Sequence, residues 1–271
     1  MSNLTECRLL IDPPASGAWN MAVDQTLLEW AAGQGGCCWR FYQWDQPTLS
    51  LGYFQKYEDR LEHAPSQGCP AVRRLTGGGA IVHDAELTYS LVVPGNHPLA
   101  GRHNLLYETI HSSLVKVLAG WGVAAKLCEG LPSREQQPPP LLCFQRRAPG
   151  DVLVGPIKIA GSAQRRLRSA VLQHGTLLLR RSAAAPELAA LKDLAGKAVP
   201  ADHLADAWLQ ELSGRLAVRW CRQTLPERQR HRAMALMQDR YASAAWTESR
   251  RCDSPASGMA WSQQGGGGYS P

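Results

Sequence analysis

A chain of 271 residues, 44% of them hydrophobic, is long enough to bury a substantial core without disulfide bonds. Its start lacks the basic segment and apolar stretch of a signal peptide, and no stretch approaches the ~20 apolar residues of a membrane span, so we expect a cytoplasmic protein without a membrane partner. The net charge of +6 comes without a compact Lys/Arg-rich run, which argues against nucleic acid and favours acidic protein partners.

Hydrophobic periodicity predicts the elements of the first half in chain order. An amphipathic helix covers 20–32, with Met21, Leu27 and Leu28 among its apolar positions. Strands follow at 37–42, 48–53, 71–75, 80–83 and 87–93. A long helix over 104–121 carries an apolar stripe that repeats every three or four residues.

The second half begins with a break at 129–140, where three consecutive prolines predict a loop outside the core. Strands are predicted at 151–154, 158–163 and 171–179, and helices around 186–195, 203–217 and 225–242. Strand-rich segments with helices between and after them indicate an α+β domain, with helices packed on a mostly antiparallel sheet. We expect residues 201–252 to pack on a domain formed by 1–200, and the Gly-rich tail 253–271 to be disordered.

Cysteine spacing gives no sign of a disulfide framework or a metal site. The eight cysteines are scattered and form no C-x-x-C pair. The neighbouring Cys37 and Cys38 would point to opposite faces of a strand, which makes them poor joint ligands. The sequence therefore predicts no zinc site and no other metal site.

The first candidate motif is Arg73-Arg74-Leu75-Thr76-Gly77-Gly78-Gly79, followed by a strand-like run that ends in His83-Asp84. Three glycines in a row cost backbone entropy and bury no side chain, so packing does not explain them. They suit a turn whose backbone N–H groups face a ligand, with two arginines beside it for a carboxylate, a phosphate or an oxyanion. The alternative is a hairpin with a flexible glycine turn and two solvated arginines.

The second candidate segment begins at Lys158 and continues through Gly161, Ser162 and Ala163. Small residues let a ligand chain lie against the backbone, and a lysine at the mouth of an apolar slot could stabilise an oxyanion. Considered alone, an exposed lysine at the end of a strand explains Lys158 better.

Cys143 lies 15 residues before Lys158 and is followed directly by Phe144. A thiolate is a strong nucleophile and forms thioesters readily, and the nearby Arg146 and Arg147 would favour the anion. The alternative is a buried structural cysteine, because cysteine is among the most buried residue types.

These segments together resemble the lipoate/octanoate transferase and ligase superfamily, which also contains the biotin protein ligases. The glycine motif is similar to the family signature RRxTGGGxxxHD. The run from Lys158 to Arg165 and the segment His174-Gly175-Thr176 resemble its K-[IV]-x-G-S-A-x-R and HG-[ST] blocks. Further similar segments lie at 20–24, 40–55 and 240–247, in family order. The resemblance covers roughly residues 8 to 250.

The resemblance implies a fold with a larger mixed sheet, a smaller sheet and an acyl pocket between them. It implies Cys143 and Lys158 as catalytic residues. The implied substrate-binding residues are Arg73, Arg74, Thr76, Gly77, Gly78, Gly79, His83, Gly161, Ser162, Ala163, His174 and Gly175. His83 suits a proton shuttle and a hydrogen-bonded strand residue equally well. His174 suits a pocket wall better than a base, and Asp24 suits a structural anchor.

The Cys-Phe pair favours the cysteine-loop octanoyltransferases of this superfamily. Such an enzyme would move an octanoyl group from acyl carrier protein, through a Cys143 thioester, to a lysine of a lipoyl domain or of glycine-cleavage H protein, without a cofactor. The loop departs from the commoner family pattern at 145–147, and its spacing from Pro149 to Lys158 is slightly short. The alternatives are an ATP- and Mg-dependent lipoate–protein ligase, an amidotransferase for lipoyl or octanoyl groups, and a non-enzymatic acyl-binding protein.

Overall fold

The computed structural model describes residues 5–101, 104–130, 140–167 and 169–252. The strands are β1 (Thr5–Ile11), β2 (Cys37–Tyr42), β3 (Thr48–Leu51), β4 (Ala71–Arg73), β5 (Ile81–His83), β6 (Glu86–Pro94), β7 (Ala125–Leu127), β8 (Val152–Val154), β9 (Ile157–Leu167), β10 (Ala170–Leu178) and β11 (Val218–Arg222). The helices are α1 (Gly17–Gln34), α2 (Leu105–Gly120), α3 (Leu191–Ala195), α4 (Ala201–Leu216), α5 (Glu227–Leu236) and α6 (Ala244–Ser249), with a π-helical turn at Met237–Tyr241. None of the helices in these ranges combines the length and apolar character needed to cross a membrane.

The strands form two sheets, which confirms the predicted α+β fold. The larger sheet has the order β11-β1-β2-β6-β10-β9-β8-β7. Its first three strands run parallel, and every later neighbour is antiparallel. The smaller sheet has the order β4-β3-β5. Because β4 and β5 both pair with β3, the glycine loop between them crosses β3 and is not a hairpin turn.

Helices cover both faces of the larger sheet. Alternate residues of β6 point to opposite sides, as the period of a strand requires. Leu87, Tyr89 and Leu91 pack in a core with α2 and α4, whereas Val92 packs in a second core with α1. The polar Thr88 faces the α1 side, where the pocket lies. On one face of the sheet, α2 and α4 pack in an apolar core. On the other face, α1 borders the pocket.

The predicted elements agree with most of the observed ones, and the differences have local causes. The strands predicted at 37–42 and 171–179 are β2 and β10, displaced by at most one residue. The helix predicted around 186–195 is shorter, since α3 begins only at Leu191, after turns around Pro186. Strands β1, β7 and β11 were not predicted, because they are short or carry charged residues between their apolar ones. The tail from 253 to 271 and most of the break at 129–140 lie outside the described residues.

Candidate active site

A pocket lies between the α1 face of the larger sheet and the loop that joins β4 to β5. One row of paired residues across β2, β6, β10 and β9 contributes to its wall: Tyr42, Thr88, Thr176 and Gly161. Apolar lining comes from Met21, Trp44, Ile81 and Phe144. A narrow apolar slot with few polar groups suits a hydrocarbon chain.

The cysteine loop is attached to the glycine loop by two backbone hydrogen bonds. Ala80 N–H donates to Leu141 O at 2.9 Å, and Cys143 N–H donates to Ala80 O at 2.8 Å. A Cβ atom on Gly79 would lie 2.9 Å from Cys143 N, which is too close for any other residue type. Gly79 therefore serves the close approach of the two loops, and the pair of bonds fixes the backbone of Cys143 at the pocket.

Cys143 and Lys158 are in contact. Cys143 Sγ lies 3.5 Å from Lys158 Nζ, and the same ammonium pairs with Asp151 Oδ2 at 2.9 Å. Burial lowers the pKa of Lys158, but Cys143 and Asp151 raise it more, and the net pKa is raised. Lys158 is therefore charged at neutral pH, and a charged donor beside a sulfur can stabilise a thiolate or an oxyanion.

Gly161 makes room for this lysine. A Cβ atom on Gly161 would lie 2.6 Å from Lys158 Cε and 2.9 Å from its Nζ. Gly175 has a comparable role one strand further, where a Cβ atom would meet Ser162 Oγ at 2.1 Å. The small residues of β9 and β10 thus allow the lysine and the neighbouring strands to approach closely, besides lining the pocket with bare backbone.

Arg74 supports the glycine loop from within the protein. Its guanidinium donates to Ser50 O at 2.7 Å, to Ser50 Oγ at 2.6 Å and to Gly79 O at 3.0 Å. Burial lowers the pKa of Arg74 to about 10, so it stays charged at neutral pH. Arg74 borders the pocket and contributes fixed positive charge behind the glycine loop.

His83 is part of a buried hydrogen-bonded chain. Its Nε2 lies 2.7 Å from Ser50 Oγ and its Nδ1 lies 2.6 Å from Glu86 Oε1. Because the Glu86 carboxylate only accepts, Nδ1–H donates to Glu86, and in the neutral ring Nε2 accepts from the Ser50 hydroxyl. The ring stacks on Trp44 at 3.8 Å, and burial lowers its pKa, which keeps the imidazole neutral. His83 borders the pocket as a structured neutral imidazole.

His174 joins α1 to the glycine loop. Its Nδ1 lies 3.0 Å from Asp24 Oδ2 and its Nε2 lies 2.7 Å from Thr76 Oγ1. Burial raises the pKa of Asp24, but the hydrogen bond with His174 and the charge of Arg40 outweigh it, and the net pKa is lowered. Asp24 also accepts a hydrogen bond from Tyr42 OH at 3.0 Å. The Asp24 carboxylate is thus an anchor that orients His174 in the pocket wall.

Arg73 does not border the pocket. Its guanidinium points to the opposite side, where it donates to Gly52 O at 2.9 Å, Gln55 O at 2.7 Å and Thr247 O at 2.7 Å. Burial lowers the pKa of Arg73. Its position suits a role in holding β3, β4 and the C-terminal segment together, and does not bring it to a ligand in the pocket.

Most of the other predicted residues meet at the pocket. Its lining includes Cys143, Arg74, Gly77, Gly78, His83, Gly161, Ser162, Ala163, His174 and Gly175. Lys158 reaches the pocket through its contact with Cys143, whereas Thr76 and Gly79 support lining residues. Ser162 turns its hydroxyl away, to Tyr89 and His111, and lines the pocket through its other atoms.

Comparison with known proteins identifies the family. Residues 16–213 match the model of the lipoyl protein ligase A/B catalytic domain. The chain belongs to this family. Octanoyltransferase LipM of Carboxydothermus hydrogenoformans is 30% identical over 256 residues, which cover 85% of this chain and 94% of that protein. Octanoyltransferase LipM of Brevibacillus brevis is 36% identical over 184 residues, 65% of this chain and 67% of that protein. The chain is an enzyme of the acyltransferase class.

Solved structures of the lipoyl protein ligase family share the fold. Lipoate-protein ligase A bound with ATP superimposes with a TM-score of 0.74 at 22% identity and covers 91% of this chain and 100% of that one. The bi-partite lipoate protein ligase of Thermoplasma acidophilum gives a TM-score of 0.73 at 21% identity, over 92% of this chain and 99% of that one. Both likenesses confirm the predicted architecture.

Sequence reasoning missed several residues of this family member's site. Asp151 contacts Lys158 directly, and Tyr107 is linked to Lys158 through its hydrogen bond to Asp151. Glu86 and Ser50 form hydrogen bonds with His83. One feature of the sequence could have indicated Asp151: it is a charged residue between a glycine and an apolar strand. The others lie in strands or helices whose apolar pattern they merely interrupt, so only the fold brings them to the site.

The residues that could hold a metal or a nucleotide are few. Across the described ranges no group of three or more His, Cys, Asp or Glu side chains is arranged to bind a metal ion. Two positive groups beside the pocket that could meet a phosphate are Arg74, which lines it, and Lys158, which contacts Cys143. Arg74 donates to Ser50 and to loop carbonyls, and Lys158 pairs with Asp151 and Cys143.

Proposed function

We propose that the chain is an octanoyltransferase that uses Cys143 as a covalent nucleophile. The observation that carries this proposal is the contact between a pocket-lining thiol and a buried ammonium, 3.5 Å apart. The relatives named octanoyltransferase support the octanoyl group as the acyl chain that is moved. The apolar pocket is compatible with such a chain.

In the first half-reaction, Cys143 sulfur attacks the carbonyl carbon of an octanoyl thioester on acyl carrier protein. The carbonyl oxygen gains negative charge, which the Lys158 ammonium and backbone N–H groups at the glycine loop stabilise. The bond from the carbonyl carbon to the carrier sulfur then breaks. The carrier thiol leaves with the proton that Cys143 lost. One thioester replaces another, so the step is close to thermoneutral and needs no ATP.

In the second half-reaction, the uncharged ε-amine of a lysine attacks the Cys143 thioester. A nitrogen–carbon bond forms, the sulfur–carbon bond breaks, and a proton from the amine returns to Cys143. The amide product is far more stable than a thioester, which makes the transfer effectively irreversible. We propose a lipoyl domain or glycine-cleavage H protein as the acceptor. Support comes from the structural neighbour described together with its E2 lipoyl domain.

The test is octanoyl transfer from octanoyl-acyl carrier protein to a lipoyl domain, measured with and without ATP and Mg. We expect transfer without ATP, and a loss of at least about 100-fold in Cys143→Ser, because a hydroxyl is a far weaker nucleophile than a thiolate. Cys221→Ser on the edge strand β11 makes the same chemical change away from the pocket and should keep full activity.

Two outcomes of this test would contradict the proposal. Full activity of Cys143→Ser together with a requirement for ATP would identify a ligase. Transfer only from an octanoylated protein and not from the acyl carrier would identify an amidotransferase.

A further inference from the structure

Asp151 is a buried carboxylate whose orientation is fixed by its neighbours. The residue is 1% exposed. Its Oδ1 accepts a hydrogen bond from Tyr107 OH at 2.7 Å, and its Oδ2 accepts one from Ala148 N–H at 2.7 Å. The same Oδ2 lies 2.9 Å from Lys158 Nζ. The carboxylate cannot rotate without breaking one of these contacts.

The fixed carboxylate also determines where the lysine points. An ammonium carries three protons. Within reach of Lys158 Nζ are Asp151 Oδ2 at 2.9 Å, Cys143 O at 3.4 Å and Cys143 Sγ at 3.5 Å. The Asp151 contact is the shortest of the three. It leaves the remaining protons of the ammonium directed at Cys143.

Tyr107 holds the carboxylate from α2. Its hydroxyl donates to Asp151 and accepts a hydrogen bond from Ser162 N–H at 3.2 Å. Its ring packs against Gly150, where a Cβ atom would lie 2.9 Å from the ring. Burial, and then the charge of Asp151, raise the pKa of Tyr107 well above its usual range, so the hydroxyl stays a donor.

We propose that Asp151, held by Tyr107, is a positioning residue that keeps the Lys158 ammonium aimed at Cys143. Neither Asp151 nor Tyr107 lines the pocket, whereas Lys158 contacts the pocket-lining Cys143 and pairs with Asp151, so both residues act through the lysine. The inference rests on the proposed function, in which Lys158 receives the charge that develops during acyl transfer. It adds a buried carboxylate and a tyrosine as supports of the cysteine–lysine pair.

Two possible effects of Asp151 on the thiol have opposite signs. If Asp151 acted only as a nearby negative charge, removing that charge would favour the Cys143 thiolate. If Asp151 positions Lys158, removing it frees the ammonium to leave the sulfur, and the thiolate loses its counter-charge. The reactivity of Cys143 in Asp151→Asn therefore distinguishes the two.

The experiment is alkylation of the full chain by iodoacetamide across about pH 6 to 10, followed by mass spectrometry of the Cys143 peptide. We expect Asp151→Asn to slow alkylation near neutral pH about tenfold and to move the midpoint of the rate to higher pH. Tyr107→Phe should have a smaller effect of the same sign. Asp45→Asn makes the same change at an exposed position and should leave the rate unchanged.

The Lys158→Met background shows whether Asp151 acts through the lysine. If it does, adding Asp151→Asn to Lys158→Met causes no further slowing. The proposal is overturned if Asp151→Asn is alkylated at the wild-type rate or faster. It is also overturned if the double variant is slowed relative to Lys158→Met as strongly as Asp151→Asn is slowed relative to wild type. Should Asp151→Asn fail to fold, an unchanged midpoint in Tyr107→Phe overturns it as well.

The alkylation test needs no acyl substrate, so its result is independent of the proposed function. If the wild-type protein transfers no octanoyl group but Asp151→Asn slows alkylation, the positioning role stands and the assigned reaction is wrong. If transfer occurs but Asp151→Asn leaves the midpoint of the alkylation rate unchanged, the assigned reaction stands and the positioning role is wrong.

Discussion

At the scale of single residues, the geometry of the site depends on glycines, which have no side chain. Gly161 leaves space for the Lys158 ammonium, and Gly79 lets the cysteine loop approach the glycine loop. The motif around the three glycines predicted a loop that faces a ligand. The structure adds a reason for the third glycine that is independent of any ligand, namely the backbone of Cys143 behind it.

Gly161→Ala should lower the transfer rate by about 100-fold or more with little loss of stability, because Lys158 must move aside by about 1 Å and misplaced catalytic groups lose rate steeply. The new Cβ atom would lie 2.6 Å from Lys158 Cε. Gly33→Ala is the control, since its Cβ atom would meet nothing within 4 Å. Steady-state transfer assays and urea denaturation measure the two effects. An unimpaired Gly161→Ala would mean that the lysine position is not needed.

At the scale of elements, strands and helices with a local apolar pattern could be predicted from the sequence. Elements and contacts that depend on pairing between distant parts of the chain could not. Strand β6 and helix α2 could be predicted because apolar residues repeat every two residues in β6 and every three or four in α2. Strand β11 pairs in parallel with β1 at the other end of the chain, and no local pattern signals that contact. For the same reason Asp151 was missed, because its partner Tyr107 lies on a different element.

Helix α2 also brings a titratable group into the interior. His111 Nδ1 donates to Gly150 O at 2.6 Å, and its Nε2 lies 2.7 Å from Ser162 Oγ. Burial lowers the pKa of His111 to about 4. In the unfolded chain a histidine takes up its proton near pH 6.5, so between these values the unfolded state binds more protons. Stability therefore falls as the pH falls from about 6.5 towards 4.

We expect the wild-type free energy of unfolding to drop by about 2 kcal/mol between pH 7 and pH 5 on account of His111 alone. His111→Gln should lack this contribution, so its stability changes less over the same interval, whatever its absolute value. Urea denaturation at both pH values measures the difference. The prediction fails if the two proteins lose the same free energy on acidification.

At the scale of the whole molecule, the C-terminal segment ties the smaller sheet to α1. Trp246 Nε1 donates to Arg73 O at 3.1 Å, while the Arg73 guanidinium donates to Thr247 O at 2.7 Å. Tyr241 OH donates to Gln25 Oε1 of α1 at 2.7 Å. Because Arg73 ends β4, directly before the glycine loop, these contacts support the pocket from outside.

Trp246→Ala should destabilise the protein by about 3 to 5 kcal/mol, since a large buried ring is replaced by a cavity and Arg73 O loses its donor. Trp121→Ala, at a partly exposed position after α2, should cost much less. Urea denaturation monitored by circular dichroism compares them. Equal losses in the two variants would show that the C-terminal segment is not an integral part of the fold.

The central claim is that one sulfur carries the acyl group between two proteins. The most direct measurement is the intact mass of the enzyme after incubation with octanoyl-acyl carrier protein in the absence of acceptor, followed by peptide mapping. The account predicts a mass increase of one octanoyl group, located on Cys143, reversed by hydroxylamine and lost on addition of a lipoyl domain. An enzyme that transfers octanoyl groups without ever showing this adduct, or shows it on another residue, would contradict the account.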